Sequence, residues 1–482
     1  MQVALATPGI LLCSLLLLAV ILYLVRYLTA AQTGVTGDDA RYLVLAESFM
    51  RGQPYRVISF PDAPLETIWP PGYPLFVLAP AGLLLGLNYA LLRATSVVLM
   101  LCNVLLTYAL VKKYLPNRAA SLLVTAMFAL NNWTAGLAGM AMSEPAFMFF
   151  LLLHLVFLQR WTAENGQLKR NVYVLPVLGL TLAVAVLIRY QGIALVAASL
   201  LYLVLNRNFR QAIGLAAFFL LLILPFATFL RLNAINSPDS LFAVQMIMGQ
   251  VTSLAQRLPE TLWNYATTIP LVMLPALGPR VLDQFQSAGL SWLVHGFHLT
   301  LFLLTAFGVV RGLLKRELPA IYVAMYFALI ILVDNQGSAS RNEARYTDAM
   351  LPFLYLYLYK GLIATGRLFR FETQILYRAV GLICSAVILV LLLRNVQQAR
   401  TVFPVPDLAA GATWVQTQTA KDDVIMTHDP VERYLYLQRH TVPFLPEAYD
   451  TLMRGELDLA AADYLLIAPP LRTANQQANL TH

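Results

Sequence analysis

Charge is what this chain lacks most: 12% of its 482 residues are charged against 59% hydrophobic, and the mean hydropathy is +0.67. That balance excludes an ordinary soluble globular protein. Cysteine is scarce too. Cys13, Cys102 and Cys384 all fall in apolar runs, with neither zinc spacing nor an evident disulfide partner. The sequence also has no Walker motif, no Rossmann glycine fingerprint, no nucleophile elbow and no HExxH. It shows no fixed-period repeat and no low-complexity tract. Its first apolar run lacks a basic leader and a cleavage site before Thr33, so it reads as a retained helix rather than a signal peptide.

What is present is a series of apolar runs near the roughly 20 residues that cross a bilayer as a helix. About eleven are expected, at Pro8–Leu28, Tyr89–Val111, Ala119–Trp133, Pro145–Gln159, Val172–Ile188, Gly192–Leu205, Gln211–Leu230, Ser291–Val310, Ala320–Val333, Met350–Ala364 and Ile375–Leu393. Tyr73–Leu87 is apolar but short and rich in Pro and Gly, and reads as juxtamembrane or re-entrant. With the N-terminus inside, the inner loops carry fifteen bases, Lys112, Lys113, Arg311 and Lys315 among them, against Glu164, Glu317 and Glu372. This positive-inside pattern supports the eleven-span count and explains the net charge of +8 without nucleic acid. It sets the loop 29–88, Glu144, Arg189, the long loop 231–290, the loop 334–348 and the C-terminal region on the outer face.

The fold class expected is an all-α polytopic membrane domain over residues 1–395, followed by a small α/β extracytoplasmic domain over 396–482. In the latter, helices at 406–419, 431–438 and 451–461 alternate with strands at 424–427, 442–445 and 464–468, which suggests a parallel sheet. The polar tail Thr473–His482 reads as frayed.

Several charged residues on the outer side stand out, and each has two readings. Asp38 and Asp39 open an amphipathic helix running to Met50; adjacent carboxylates at a bilayer edge suit a general base or a cation site, or simply the negative charge a helix start favours. Glu144, in Ser-Glu-Pro, is a capping acid or part of a site. Arg189 is the single charge between Val172 and Asn206. It either snorkels or meets an anionic ligand, for which a guanidinium fits phosphate. Arg341, Arg345 and Tyr346 form a second phosphate clamp, or a solvated loop paired with Glu343 and Asp348. His295 and His298 are a weak metal pair. Asn132-Trp133-Thr134 matches a glycosylation sequon that hugs the membrane.

In order along the chain, these pieces resemble the GT-C superfamily of integral-membrane glycosyltransferases. They are most similar to the branch holding the bacterial protein O-mannosyltransferases and the lipid A aminoarabinose transferase. The residues carrying the resemblance are Asp38-Asp39-Ala40-Arg41-Tyr42 with Ala46, the Trp69-Pro70-Pro71-Gly72-Tyr73-Pro74 loop, Arg93, Glu144, Arg189 and Arg345-Tyr346 with Leu351-Pro352. The chain departs from the pattern at Asp39, where several relatives have Glu, at Glu144, where many have Asp, and in having no base between Arg56 and Arg93.

The resemblance implies a polyprenyl-phosphate-linked sugar donor and inverting transfer to an acceptor hydroxyl on a glycan, lipid or protein. It gives catalytic roles to Asp38, Asp39 and Glu144, and phosphate contacts to Arg189, Arg345, Tyr346 and Arg93. Arg41, Tyr42, Trp69, Pro71 and Tyr73 become the substrate loop. No metal or other cofactor is firmly implied; Asp38 and Asp39 can take Mg or Mn, but clustered arginines do the same electrostatic work. The implied location is the inner membrane, with the N-terminus cytoplasmic. The rival readings are a transporter or flippase of lipid-linked sugars, and an inactive protein of the same fold. Transporters place ionisable groups near the midplane, where this chain offers only His154, toward the inner side.

Overall fold

The structure, a computed structural model, describes residues 8–29, 37–163, 173–235, 254–275, 287–288, 290–333, 341–399, 406–443 and 462–466. The chain divides into two compact units. One comprises Met1–Leu24, Leu99–Gly136 and Glu144–Gln398; the other comprises Val25–Val98, Leu137–Ser143 and Ala399–His482.

The protein is mostly helical, as a chain that leaves water must be, because a helix satisfies its backbone polar groups internally. Among the described residues, six helices are long and apolar enough to cross a membrane: Gly9–Leu28, Tyr89–Val111, Ser143–Thr162, Phe209–Phe229, Ser291–Leu314 and Thr373–Gln398. Shorter apolar helices lie at Pro74–Leu85, Arg118–Ala129, Val174–Ile188, Tyr190–Leu205 and Leu318–Leu332. Several helices run a few residues past their expected ends, and one expected span is broken. The run expected to continue to Trp133 stops at Ala129, and a separate short helix starts at Asn132. Asn131 breaks it by turning its amide to the Val272 carbonyl (2.8 Å) and the Tyr355 hydroxyl (2.9 Å).

In the first unit, helix packing rests on small residues and buried polar contacts. Ser291–Leu314 and Leu351–Leu368 cross where a Cβ on Gly308 would lie 2.0 Å from the Tyr357 carbonyl oxygen, and one on Gly361 would lie 2.0 Å from that of Leu304. Only glycine admits that backbone approach, which supplies the dispersion contacts that drive association between helices in lipid. The helix Phe209–Ile235 instead exposes Ile213, Leu221 and Leu224, the apolar surface lipid tails cover. His154 is buried, with Nδ1 2.9 Å from Thr181 Oγ1 and Nε2 2.9 Å from Ser199 Oγ. Asn132 is buried as well, which leaves a sequon glycan no room.

In the second unit, the helix Asp38–Met50 packs on Pro74–Leu85 and on the C-terminal helix Pro430–Leu437. Three parallel strands, β1 Val424–Thr427, β2 His440–Pro443 and β3 Tyr464–Leu466, form a sheet of order β2-β1-β3. Strand β2 starts two residues before its expected position, because Arg439 is held by the carbonyls of Gln416 and Thr419 (3.1 and 2.9 Å) and fixes where the chain turns back. The Thr441 amide then donates to the Ser59 carbonyl at 2.8 Å, joining this strand to the 51–73 segment of the same unit. The helix expected at 451–461, the tail 473–482 and most of the loop 231–290 lie outside the described residues.

Candidate active site

Each unit carries one cluster of the residues singled out in the sequence. In the second unit, Asp38 and Asp39 occupy the first turn of the helix Asp38–Met50, where the positive end of the helix dipole favours carboxylates. Asp39 is buried and Asp38 half-buried. Three residues on, Arg41 Nε donates to Glu66 Oε2 at 2.6 Å, while Glu66 Oε1 accepts the amides of Ile68 (2.8 Å) and Trp69 (3.2 Å). One carboxylate thereby ties the acidic helix to the loop leading into Pro70-Pro71-Gly72. Tyr42 is fixed from three sides. Its hydroxyl donates to Ser143 Oγ at 3.1 Å, and its ring meets Trp69 and Tyr73 edge-on at 5.5 and 5.2 Å. The Tyr73 hydroxyl lies 3.4 Å from Ser96 Oγ, and Pro71 is buried.

Arg93, also in this unit, donates to the Tyr27 carbonyl at 2.9 Å and stacks over the Tyr27 ring at 4.6 Å. The charges of Asp39 and Arg93 both act on Tyr436 of the C-terminal helix, whose phenol is pushed above its ordinary range, first by burial and then by Asp39. Sequence reading missed Tyr436 and Glu66; neither lies in a motif, and nothing local in the sequence announces them.

In the first unit, Glu144 stands in the first turn of the helix Ser143–Ala163. Its Oε1 accepts from Arg189 Nη1 at 2.7 Å, Arg345 Nη2 at 2.9 Å and Arg345 Nε at 3.0 Å. Its Oε2 is buried and accepts from no other residue among those described. Arg189 reaches Glu144 because the helix Val174–Ile188 ends there: the residue is extended (φ −148°, ψ 130°), and a 3₁₀ turn follows. Gly192 closes that turn against backbone; a Cβ on it would lie 2.7 Å from the Val186 nitrogen.

Arg345 comes from the last turn of the helix Arg341–Asp348. Asp348, at the end of that helix, is buried with neither carboxylate oxygen hydrogen-bonded among the described residues. Burial, then the charge of Glu144, push its carboxyl well above the usual range, against the pull of Arg345 and Arg189. Tyr346 is half-buried and makes no hydrogen bond among the described residues. The buried Tyr322 hydroxyl, unpartnered among the described residues, lies within reach of the Arg189 charge. The side chains of Arg341 and Glu343 lie outside the described residues.

No group of three or more His, Cys, Asp or Glu side chains able to hold a metal gathers among the described residues. His295 is exposed and His298 buried, so that pair offers no shared metal face.

A model of the family described as dolichyl-phosphate-mannose-protein mannosyltransferase matches residues 73–239. Among solved structures, the chain is similar to ArnT from Cupriavidus metallidurans bound to undecaprenyl phosphate (TM-score 0.60, 12% identity, 95% of this chain and 90% of that one covered). The chain has the GT-C fold. It is also similar to the oligosaccharyltransferase of Archaeoglobus fulgidus in the apo form (TM-score 0.56, 14% identity), covering 89% of this chain and spanning 64% of that one. The same archaeal protein, in complex with an inhibitory peptide and a dolichol-phosphate, matches at a TM-score of 0.51 and 14% identity. No curated protein matches. With its apolar helices, the GT-C fold makes this a multi-pass membrane protein.

Proposed function

We propose that this protein is a glycosyltransferase that moves a sugar from a polyprenyl-phosphate donor to an acceptor hydroxyl on the extracytoplasmic face, with inversion. The observation that carries the reading is the buried Glu144–Arg189–Arg345 cluster. Two guanidiniums share one carboxylate, and Asp348 beside them is held toward its neutral form, so among these four described side chains the positive charge is in excess. A buried net positive charge with fixed donors suits a phosphate that gains charge as it departs, since preorganised donors stabilise charge without reorganising during the reaction.

In the proposed reaction the acceptor oxygen attacks the anomeric carbon. The bond from that carbon to the donor phosphate oxygen breaks, and its electron pair leaves with the lipid phosphate. Asp38 takes the acceptor proton. Asp39 holds Asp38 and the acceptor in register. Glu144 acts through the two arginines it positions, which face the departing phosphate with Tyr346. Arg93 contacts the donor, as the resemblance implies. Arg41, Tyr42, Trp69, Pro71 and Tyr73 shape the substrate loop through the contacts of Glu66 and Ser143. The fold relatives solved with undecaprenyl phosphate and with a dolichol-phosphate support a lipid-linked donor. The mannosyltransferase family match supports sugar transfer. His154, the ionisable group deepest in a span, has both ring nitrogens held by hydroxyls, as a packing contact would have rather than a transport relay.

The test is transfer of label from a panel of radiolabelled polyprenyl-phosphate sugars into a membrane extract, wild type beside Asp38→Asn. Transfer by wild type alone is expected. Transfer surviving in Asp38→Asn removes the assigned base, and a folded wild type inert toward every donor removes the proposed reaction.

A further inference from the structure

At helix ends expected on the inner, basic face, the first unit has a cavity of about 330 Å³. It lies between the segment after the helix Tyr89–Val111, the end of Ser291–Leu314, the second half of Leu351–Leu368 and the start of Thr373–Ala399. Five cations line it, Lys113, Arg311, Lys315, Lys360 and Arg367, and no acid does among the described residues. Glu317, nearby, pairs with Lys360. Neither Arg311 nor Lys315 makes a salt bridge among the described residues.

A basic residue in a last helical turn is ordinary, since it complements the dipole, and that accounts for Arg311 and Arg367 singly. It does not account for five cations converging on one concavity, where each raises the electrostatic cost of the others. The flank decides what would relieve that cost. Leu314, Leu368 and Phe369 are 80%, 73% and 68% exposed at the same helix ends, and Tyr114, Tyr359 and Tyr377 line the cavity. Cations in a pocket, apolar side chains beside it and tyrosines between are what the boundary between headgroup and acyl chain requires. A free anion has no use for the apolar flank.

We propose that this cavity binds the headgroup of a lipid carrying two phosphates, with its acyl chains along Leu314, Leu368 and Phe369. Two phosphates rather than one follow from the charge, because a single phosphodiester would leave most of the cations unmatched. The site is separate from Glu144 and its arginines and does not depend on the proposed transfer reaction.

The test is native mass spectrometry of the delipidated full chain in detergent, titrated with cardiolipin, phosphatidylcholine or inorganic phosphate. Wild type is compared with Arg311→Gln/Lys315→Gln, with Lys113→Gln, and with Arg210→Gln, an exposed base outside the cavity. Wild type is expected to hold one cardiolipin, and the double variant to need about tenfold more lipid or worse, given what each basic residue near an anionic headgroup contributes. Lys113→Gln weakens binding in the same direction and stands in for the pair should the pair melt early. Equal binding of phosphatidylcholine, or equal loss in Arg210→Gln, overturns the proposal. So does saturation by inorganic phosphate without any lipid adduct, which would make this a free-anion site.

Discussion

Replacing Glu144 by Gln keeps the shape of the side chain and removes the one charge that both arginines share. Arg189 has 10% of its side chain exposed and Arg345 24%, so neither can recover full hydration where it stands. Removing one member of a buried ion pair costs about 3–5 kcal/mol, because the remaining charge is left uncompensated. The partly exposed Arg345 brings the expectation to the lower end of that range. Asp348 then moderates the loss. Glu144 is the neighbouring charge that holds its carboxyl high, while Arg345 and Arg189 pull it down. With Glu144 neutral, Asp348 ionises more readily and becomes the counter-charge. Adding Asp348→Asn removes that reserve, so the double variant should be less stable than the sum of the single effects by about 1 kcal/mol or more. The assay is a double-mutant cycle by denaturant unfolding in mixed micelles at pH 7.5. A single-variant cost within experimental error, or strict additivity, would refute the shared-carboxylate account.

Asp348→Asn alone should show a pH trend. A carboxyl raised in the folded state stabilises fully below its unfolded pKa, about 3.9, and that contribution is lost as pH rises. The variant should therefore gain on wild type between pH 4 and 7.5 in melting experiments; a constant difference would contradict the raised carboxyl. Gly308→Ala should destabilise by about 1–3 kcal/mol, because its Cβ meets the Tyr357 carbonyl and the helices must part; unchanged melting would show that the crossing yields freely. Glu66→Gln should loosen Arg41 and the Ile68–Trp69 amides together, giving faster proteolysis at 60–70 at little cost in global melting; unchanged cleavage would argue that the loop is held elsewhere.

Helices were legible in the sequence because, in a membrane chain, apolar length and the sign of loop charges are nearly sufficient signals. Helix starts such as Tyr89 and Ser291 follow from them. The break after Ala129 was not legible, because Asn131 ends the helix through contacts 141 and 224 residues away. Site residues divide the same way. Arg189 was conspicuous as the lone charge in a long apolar stretch. The pairing was not: Glu144 read as a capping acid or part of a site, and only the fold brings Arg345 to it across 201 residues. Glu66, Tyr322 and Tyr436 carried no signal, since their surroundings are assembled from remote segments.

Four acids of this chain differ in their surroundings. Glu66 has both oxygens engaged, one by Arg41 and the other by two amides, so it serves as a fastener for the loop. Glu144 has one oxygen engaged by two guanidiniums, and any proton it took would weaken both ion pairs at once. Asp348 lies where its ionised form is disfavoured, which suits a reserve of charge better than a base working at neutral pH. Asp38 is half-buried in the first turn of its helix, so an acceptor can approach it. That exposure, together with the first-loop resemblance, is why the proposed reaction gives the proton to Asp38 and the departing phosphate to the arginines that Glu144 holds.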